Sequence, residues 1–299
     1  MDIVIAGSHG LIGTALVHDL VASGHQVRRL VRRPAVREHE IPWDPAGGQL
    51  SPTFLSGVDA VINLAGAGVG DHRLTPADKR VVIASRTSTT SLLARAMATA
   101  ANPPAVLLQG SAVGAYGDTG STQVAEDAPL GSTFLASVVR EWEAATAPAQ
   151  TAGIRVVHLR TGIVLSPHGG ALSRLLPLLR LGIGGRIGTG RQFWSWITLP
   201  DEIRAITHLL TSSVDGPVNL TAPKPSTNSD FTRALARALH RPAVLAVPAP
   251  ALRLVLGEFS QEILGSIRAV PTVLLDDGFT FTHPTIDEAA YWVAADAQA

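Results

Sequence analysis

The first thirteen residues constrain this chain most. An apolar run, Asp2-Ile3-Val4-Ile5-Ala6, enters a Gly-x-x-Gly-x-x-Gly turn made of Gly7, Ser8, His9, Gly10, Leu11, Ile12 and Gly13. Helical periodicity then follows from Thr14 to Ser23. Residues without a Cβ let a backbone turn this tightly and approach a pyrophosphate. The helix that opens there offers free N–H groups and a positive dipole end to the phosphates. Glycines also mark ordinary turns, so the context decides. Gly24 is placed to end the helix, and a second strand, Gln26–Val31, follows at once. A strand, turn, helix and strand in succession predict a dinucleotide site of the Rossmann type.

The tip of the second strand bears on which dinucleotide. An acidic residue there bonds the ribose 2′-hydroxyl and repels a 2′-phosphate, whereas arginine does the reverse. Here the tip reads Val31-Arg32-Arg33-Pro34, with no carboxylate before Glu38. Arg32 and Arg33 make a guanidinium pair suited to a phosphate dianion, which favours NADP(H) over NAD(H). A solvated basic turn is the alternative.

At 299 residues, with 46% hydrophobic and 16% charged residues, much of the chain must be interior, and one domain with a sizeable appendage fits the length. Zero net charge argues against a nucleic-acid partner. No apolar run approaches a membrane span, and the absence of cysteine excludes disulfide and thiolate chemistry. The ten histidines show no paired metal spacing, so no metal site is expected. These features lead us to expect a soluble, cytoplasmic protein. Only two of the 24 basic residues are lysine, Lys79 and Lys224.

Further strands are expected at 40–45, 59–66, 105–111 and 154–160. Helices are expected from Thr75, with Pro76 at its first position, to about residue 101, and from Thr133 to Ala147. Continuous apolar strands alternating with helices predict an α/β, doubly wound parallel sheet covered on both faces. Past Leu165 the rhythm breaks into a leucine-rich helix and a glycine-heavy stretch, 182–190. The expected organisation is a nucleotide-binding domain over 1–165 with a return segment near 200–222. A smaller, mainly helical cap, 166–199 and 223–299, completes it. In the tail Leu252, Val255, Leu256, Phe259, Ile263 and Ile267 recur at helical spacing and are expected to be core.

With these residues in view, the chain resembles an extended or atypical short-chain dehydrogenase/reductase. More narrowly it resembles the epimerase-family subgroup with a C-terminal domain of unknown function, once described as cell-division-inhibitor-like nucleoside-diphosphate-sugar epimerases. Gly7–Gly13, Trp43-Asp44-Pro45, residues 59–66, Ser85-Arg86-Thr87 and Ser111 through Gly117 carry the likeness. So do residues 160–165, Ser195-Trp196-Ile197 and 278–281. The resemblance implies an NADP(H)-binding oxidoreductase acting on an unidentified small molecule. It implies cofactor contacts from Trp43, Asp44, Leu64, Ala65, Gly66, Arg86 and Ser111 besides the glycine loop and Arg32 and Arg33. A second copy of the chain is an optional partner.

In the superfamily a tyrosine four residues before a lysine carries the proton. Neither Tyr116 nor Tyr291 precedes a lysine in this way, and Phe134-Leu135-Ala136-Ser137-Val138 stands where the pair would be. Ser111 and Tyr116 remain as catalytic candidates. Ser111 is either the active-site serine or a strand-end hydroxyl bonding local backbone. Arg86 faces the cofactor or substrate, or pairs with a surface carboxylate. Arg191, Phe193, Trp194 and Trp196 are candidates for substrate contact, with a domain seam as the alternative for Trp196. Glu126 and Asp127 read as a loop and helix start. Three functions remain open: an NADP(H)-dependent oxidoreductase with an unconventional proton donor, a sugar-nucleotide epimerase or dehydratase, and a non-catalytic NADP(H)-binding redox-sensing or interaction protein.

Overall fold

A computed structural model describes residues 1–70 and 74–297. Its centre is a seven-stranded, all-parallel sheet. The strands in chain order are β1 (Asp2–Ala6), β2 (Gln26–Val31), β3 (Glu40–Pro42), β4 (Ala60–Asn63), β5 (Val106–Ala112), β6 (Arg155–Thr161) and β7 (Gly216–Leu220). Their spatial order is β7-β6-β5-β4-β1-β2-β3. Strand order reverses between β1 and β4, and in such a sheet ligands bind at that crevice, outside the carboxyl ends of the strands.

Alternation along the strands sorts the core into two faces. Ile3, Ile5, Ile62, Leu108 and Leu159 face α1 (Leu11–Ala22) and the helix Leu199–Thr211. Val4, Val61, Leu107 and Val156 face the other side, with Leu92, Leu93 and Met97 of α2 (Pro76–Ala98). Each such side chain taken fully from water contributes about 1.5–3 kcal/mol, which fixes the register of the sheet.

Helix ends follow local chemistry. At α2 the Thr75 side chain accepts from Asp78 N while Asp78 reaches back to the Thr75 N–H, a capping box. The helix stops at Ala98, short of the expected 101, ahead of the proline pair at 103 and 104. The expected helix from Thr133 to Ala147 is divided into α3 (Phe134–Ala144) and a short turn, Ala147–Thr151. Pro148 has no N–H to bond back into α3.

Beyond β6 the chain builds a second body around Leu165, Leu172, Leu176, Trp196, Phe231, Ala289 and Val293. The strand Ile163–Ser166 pairs there with Trp196–Thr198. The apolar tail stripe departs from expectation. None of Leu252, Val255, Leu256, Phe259, Ile263 and Ile267 is buried, and Val255 is 67% exposed. The helix Ala249–Leu256 has no buried residue at all, because nothing among the described residues covers its apolar face. No helix of the described residues is long and apolar enough to cross a membrane.

Candidate functional site

The glycine loop closes the crevice between β1 and β4. Gly7 sits at φ +80°, and a Cβ there would lie 2.5 Å from the Leu64 carbonyl carbon and 2.8 Å from Ala65 N. A Cβ on Gly13 would lie 2.2 Å from Gly7 O. Both positions are therefore dictated by the protein's own backbone, where the loop meets the exit of β4 and the first turn of α1. Gly10 differs: its nearest neighbour for an added Cβ is Gly7 O at 3.5 Å. It is the open glycine of the three. Gly7, Gly10, Leu11, Ile12, Gly13 and Leu64 line a cavity of about 320 Å³, with Ile163, Val164, Gly170 and Ala171 across from them. Ser8 is buried, and His9 beside it bonds its hydroxyl at 3.3 Å.

A second cavity, about 330 Å³, lies at the tips of β2 and β3 and includes Arg32, Arg33, Trp43 and Asp44 in its lining. Here the two arginines part company. Arg33 donates Nη1 and Nη2 to Glu40 Oε2 and Oε1 at 2.8 and 2.7 Å. That bidentate bond, with a further one from Val36 N, holds the Glu40 carboxyl down to about 2. Arg33 is thus committed to the fold of its own loop, which corrects the expectation of a matched pair. Arg32 is exposed and has no bond or ion pair among the described residues. Asp44 is turned back into its own turn, accepting from Ala46 N at 3.0 Å. Trp43 is buried and forms an apolar wall.

Beyond β4, Ala65 N bonds Asn63 Oδ1 at 3.1 Å and Ala67 N bonds Ser85 Oγ at 3.2 Å, which fixes the exit loop onto α2. Arg86 follows on the same helix. Its guanidinium carbon stands 3.4 Å from where a Gly66 Cβ would be and 4.9 Å from the Trp142 ring centre. Burial pulls its pKa down to about 10, and it pairs with no carboxylate among the described residues. The surface ion pair considered for it from sequence is not formed.

At the carboxyl ends of β5, β6 and β7 the picture reverses. Ser111 Oγ donates to Glu143 Oε1 at 2.6 Å. Arg160 grips the same carboxylate through Nε and Nη2 at 2.9 and 3.0 Å. Burial works to raise the Glu143 carboxyl, but the Arg160 bonds prevail and hold it below its ordinary value. Arg160 Nη1 also donates to the Tyr116 hydroxyl at 3.1 Å, which in turn donates to Asn219 Oδ1 at 2.7 Å. Asn219 N donates to Glu126 Oε1 at 3.0 Å. Burial raises the Tyr116 phenol despite Arg160. Tyr116 is therefore a buried strut with both hydroxyl functions engaged. Ser111 is also buried, and its hydroxyl bonds a side chain rather than the local backbone expected as the alternative. Where the pair would stand, Leu135 packs on Gly114, Ala136 and Val138 are buried, and Ser137 Oγ donates to Phe134 O at 2.7 Å.

The four substrate candidates are spread over different surroundings. Trp196 is fully buried, its Nε1 donating to Ser226 Oγ at 3.3 Å, and belongs to the second core. Trp194 is half-buried against Phe231. Phe193 lies under the Arg268 guanidinium, 4.7 Å from ring centre to guanidinium carbon. Arg191 is exposed, with an unpaired guanidinium among the described residues.

Sequence reasoning missed Glu143, Arg160 and Asn219 as partners. The available signal was polar His158 and Arg160 alternating with apolar Val157 and Leu159 in one strand, both on the face toward α3.

Residues 3–221 match the model of the NAD dependent epimerase/dehydratase family, and residues 247–293 match a domain of unknown function, DUF1731. The epimerase family protein MT2273 of Mycobacterium tuberculosis is 46% identical over 96% of this chain and 95% of its own length. Human epimerase family protein SDR39U1 is 34% identical over 99% of this chain and all of its own. A crystal structure of human SDR39U1 (isoform 2) with NADPH superposes with a TM-score of 0.91 at 33% identity, covering 99% of both chains. A nucleoside-diphosphate sugar epimerase from Corynebacterium glutamicum gives 0.81 at 33% identity, this chain spanning 58% of that one. The chain belongs to the NAD dependent epimerase/dehydratase family, with a DUF1731 module at its C-terminal end.

Proposed function

We propose that this protein binds NADP(H) and works as an oxidoreductase of epimerase-like type on a small molecule, without a Tyr-x-x-x-Lys pair. The observation that carries the reading is the cavity at the tips of β2 and β3, where Arg32 stands without an anionic partner and the one lining carboxylate, Asp44, is turned away. The NADPH in the human SDR39U1 structure supports it. The residues fit such a cofactor: Gly10 leaves its side of the loop open, α1 presents its N-terminus, and Arg86 holds a desolvated positive charge beside Gly66. Bound there, NADPH would supply a hydride. Arg32 would hold the 2′-phosphate, Trp43 would wall the adenine end, and Arg86 would balance anionic charge at the exit of β4.

One observation favours a second reading, a non-catalytic NADP(H)-binding protein: the hydroxyls of Ser111 and Tyr116 are both engaged by neighbours. NADPH consumption over a panel of ketones, aldehydes, quinones and a UDP-sugar separates the two. Turnover is expected to be slow, because general acid–base help is worth on the order of 10²–10⁴ in rate. NADPH binding with no consumption across the panel would transfer the assignment to the second reading.

A further inference from the structure

The glycine loop divides the crevice. The cavity at the tips of β2 and β3, with Arg32, lies on one side of it. A dinucleotide that places its adenosine there extends its nicotinamide half to the β4 side, where the cavity of about 320 Å³ lies. NADP+ and NADPH carry the same phosphates and differ at the ring, which is cationic when oxidised and neutral when reduced. The surroundings of that cavity therefore decide which form binds more tightly.

Among the described residues, every side chain lining it is apolar or absent: Leu11, Ile12, Leu64, Ile163, Val164 and Ala171, with glycines between them. Two helices begin on its wall, α1 after Gly10 and Leu172–Arg180 after Ala171, and neither carries an acidic residue in its first turn. Helix N-termini present partial positive charge. Arg86, desolvated and without a carboxylate partner among the described residues, stands beside Gly66 just past Leu64. The carboxyls tied to the ends of β5 and β6 offset none of this. Glu143, bonded by Ser111, is gripped by Arg160. Glu202, bonded by Thr161, is fully buried, and burial keeps its proton on well above the usual carboxylate range.

A cation moved from water into apolar surroundings without a counter-charge is penalised. We propose that this cavity makes the protein select the reduced dinucleotide, accepting the neutral ring of NADPH and disfavouring the cationic ring of NADP+. The proposal rests on the NADP(H) reading above. Such a site stays loaded with NADPH and lets NADP+ leave readily. It also raises the reduction potential of the bound pair, by about 30 mV for each tenfold difference in affinity.

Calorimetric titration of NADPH and of NADP+ into the full chain, at one pH, tests this. Wild type is expected to bind NADPH about tenfold or more tightly than NADP+. Ala171→Asp puts a carboxylate on the cavity wall, at an exposed position at the start of a helix, where negative charge is favourable and folding should be kept. The ratio of the two affinities is the readout, since a carboxylate repels the phosphates of both forms alike. Ala171→Asp should narrow that ratio by about three- to tenfold, and Ala171→Asn, of the same shape without the charge, should leave it as in wild type. Equal affinity of the wild type for both forms, or tighter NADP+, would overturn the proposal. So would an unchanged ratio in folded Ala171→Asp protein, or the same change in Ala171→Asn. Failure of the wild type to bind either form would instead remove the cofactor reading itself.

Discussion

The two ends of the sheet treat polar groups in opposite ways. At the β1–β2–β4 end the chain leaves cations without anions, Arg32 exposed at one cavity and Arg86 desolvated beside Gly66, and leaves Gly10 open. At the β5–β6–β7 end a hydrogen-bonded chain runs from Ser111 through Glu143, Arg160, Tyr116 and Asn219 to Glu126, whose Oε2 is buried without a partner among the described residues. Desolvated Arg86 is costly for an isolated protein and would be relieved by an anionic ligand, whereas Arg32 stays in solvent until a ligand engages it. The second arrangement stabilises the fold and leaves little for a ligand to engage.

The contrast predicts that variants at the first end damage either fold or binding according to which backbone they touch. Gly7→Val is expected to have the largest effect. Its side chain would overlap the Leu64 carbonyl, and φ +80° is unfavourable for a β-branched residue, so a loss of about 4 kcal/mol or more is expected. Gly10→Ala should fold normally and weaken NADPH. Thermal melts of both variants, with and without NADPH, check this; a stable Gly7→Val protein would refute the backbone account.

At the second end the losses should appear in stability and not in binding. Arg160→Met leaves the Glu143 carboxylate buried without its main partner, a change worth roughly 3–5 kcal/mol. Tyr116→Phe, which leaves Asn219 Oδ1 without its donor, should cost about 1–3 kcal/mol. Denaturant titration measures both. A Tyr116→Phe protein of normal stability but with weakened NADPH binding would erase the distinction between the two ends.

These two ends also differ in how far they could be read from the chain. The glycine loop, β1, α1 and β2 are contiguous, so turn, cap and strand signals within 31 residues identify them. Which arginine is free was not legible, because Glu40 returns to Arg33 only after β3 pairs with β2. The second end is assembled from β5, α3, β6 and β7, and Tyr116 meets Asn219 across 103 positions. Local pattern carries no information about such a meeting. The tail stripe misled for the complementary reason: helical spacing specifies an apolar face but not whether anything covers it.

Glu202 gives a pH test of the same closed end. It is fully buried under β6, accepts one bond from Thr161 Oγ1 at 2.9 Å, and burial pushes its carboxyl up to about 8. The unfolded chain ionises it near 4.5, so between that pH and 8 the unfolded state has lost a proton that the folded state keeps. Stability should therefore fall as pH rises through this window, by the order of 3 kcal/mol at pH 7. Glu202→Gln should flatten the decline and be the more stable protein at pH 8. A wild-type profile that rises with pH across the window, unaltered by the substitution, would show that the carboxyl is not held neutral.

Cofactor preference bears most directly on the main claim, that the open end is built for a 2′-phosphorylated dinucleotide read by Arg32. Calorimetric titration of NADPH and NADH into wild type and Arg32→Ala decides it. A charge-assisted bond to phosphate is worth roughly 1.5–3 kcal/mol, so wild type should prefer NADPH by about tenfold or more. Arg32→Ala should lose that preference by weakening NADPH while leaving NADH unchanged. Equal affinity of the wild type for both nucleotides, or an equal loss of both in the variant, would contradict the account.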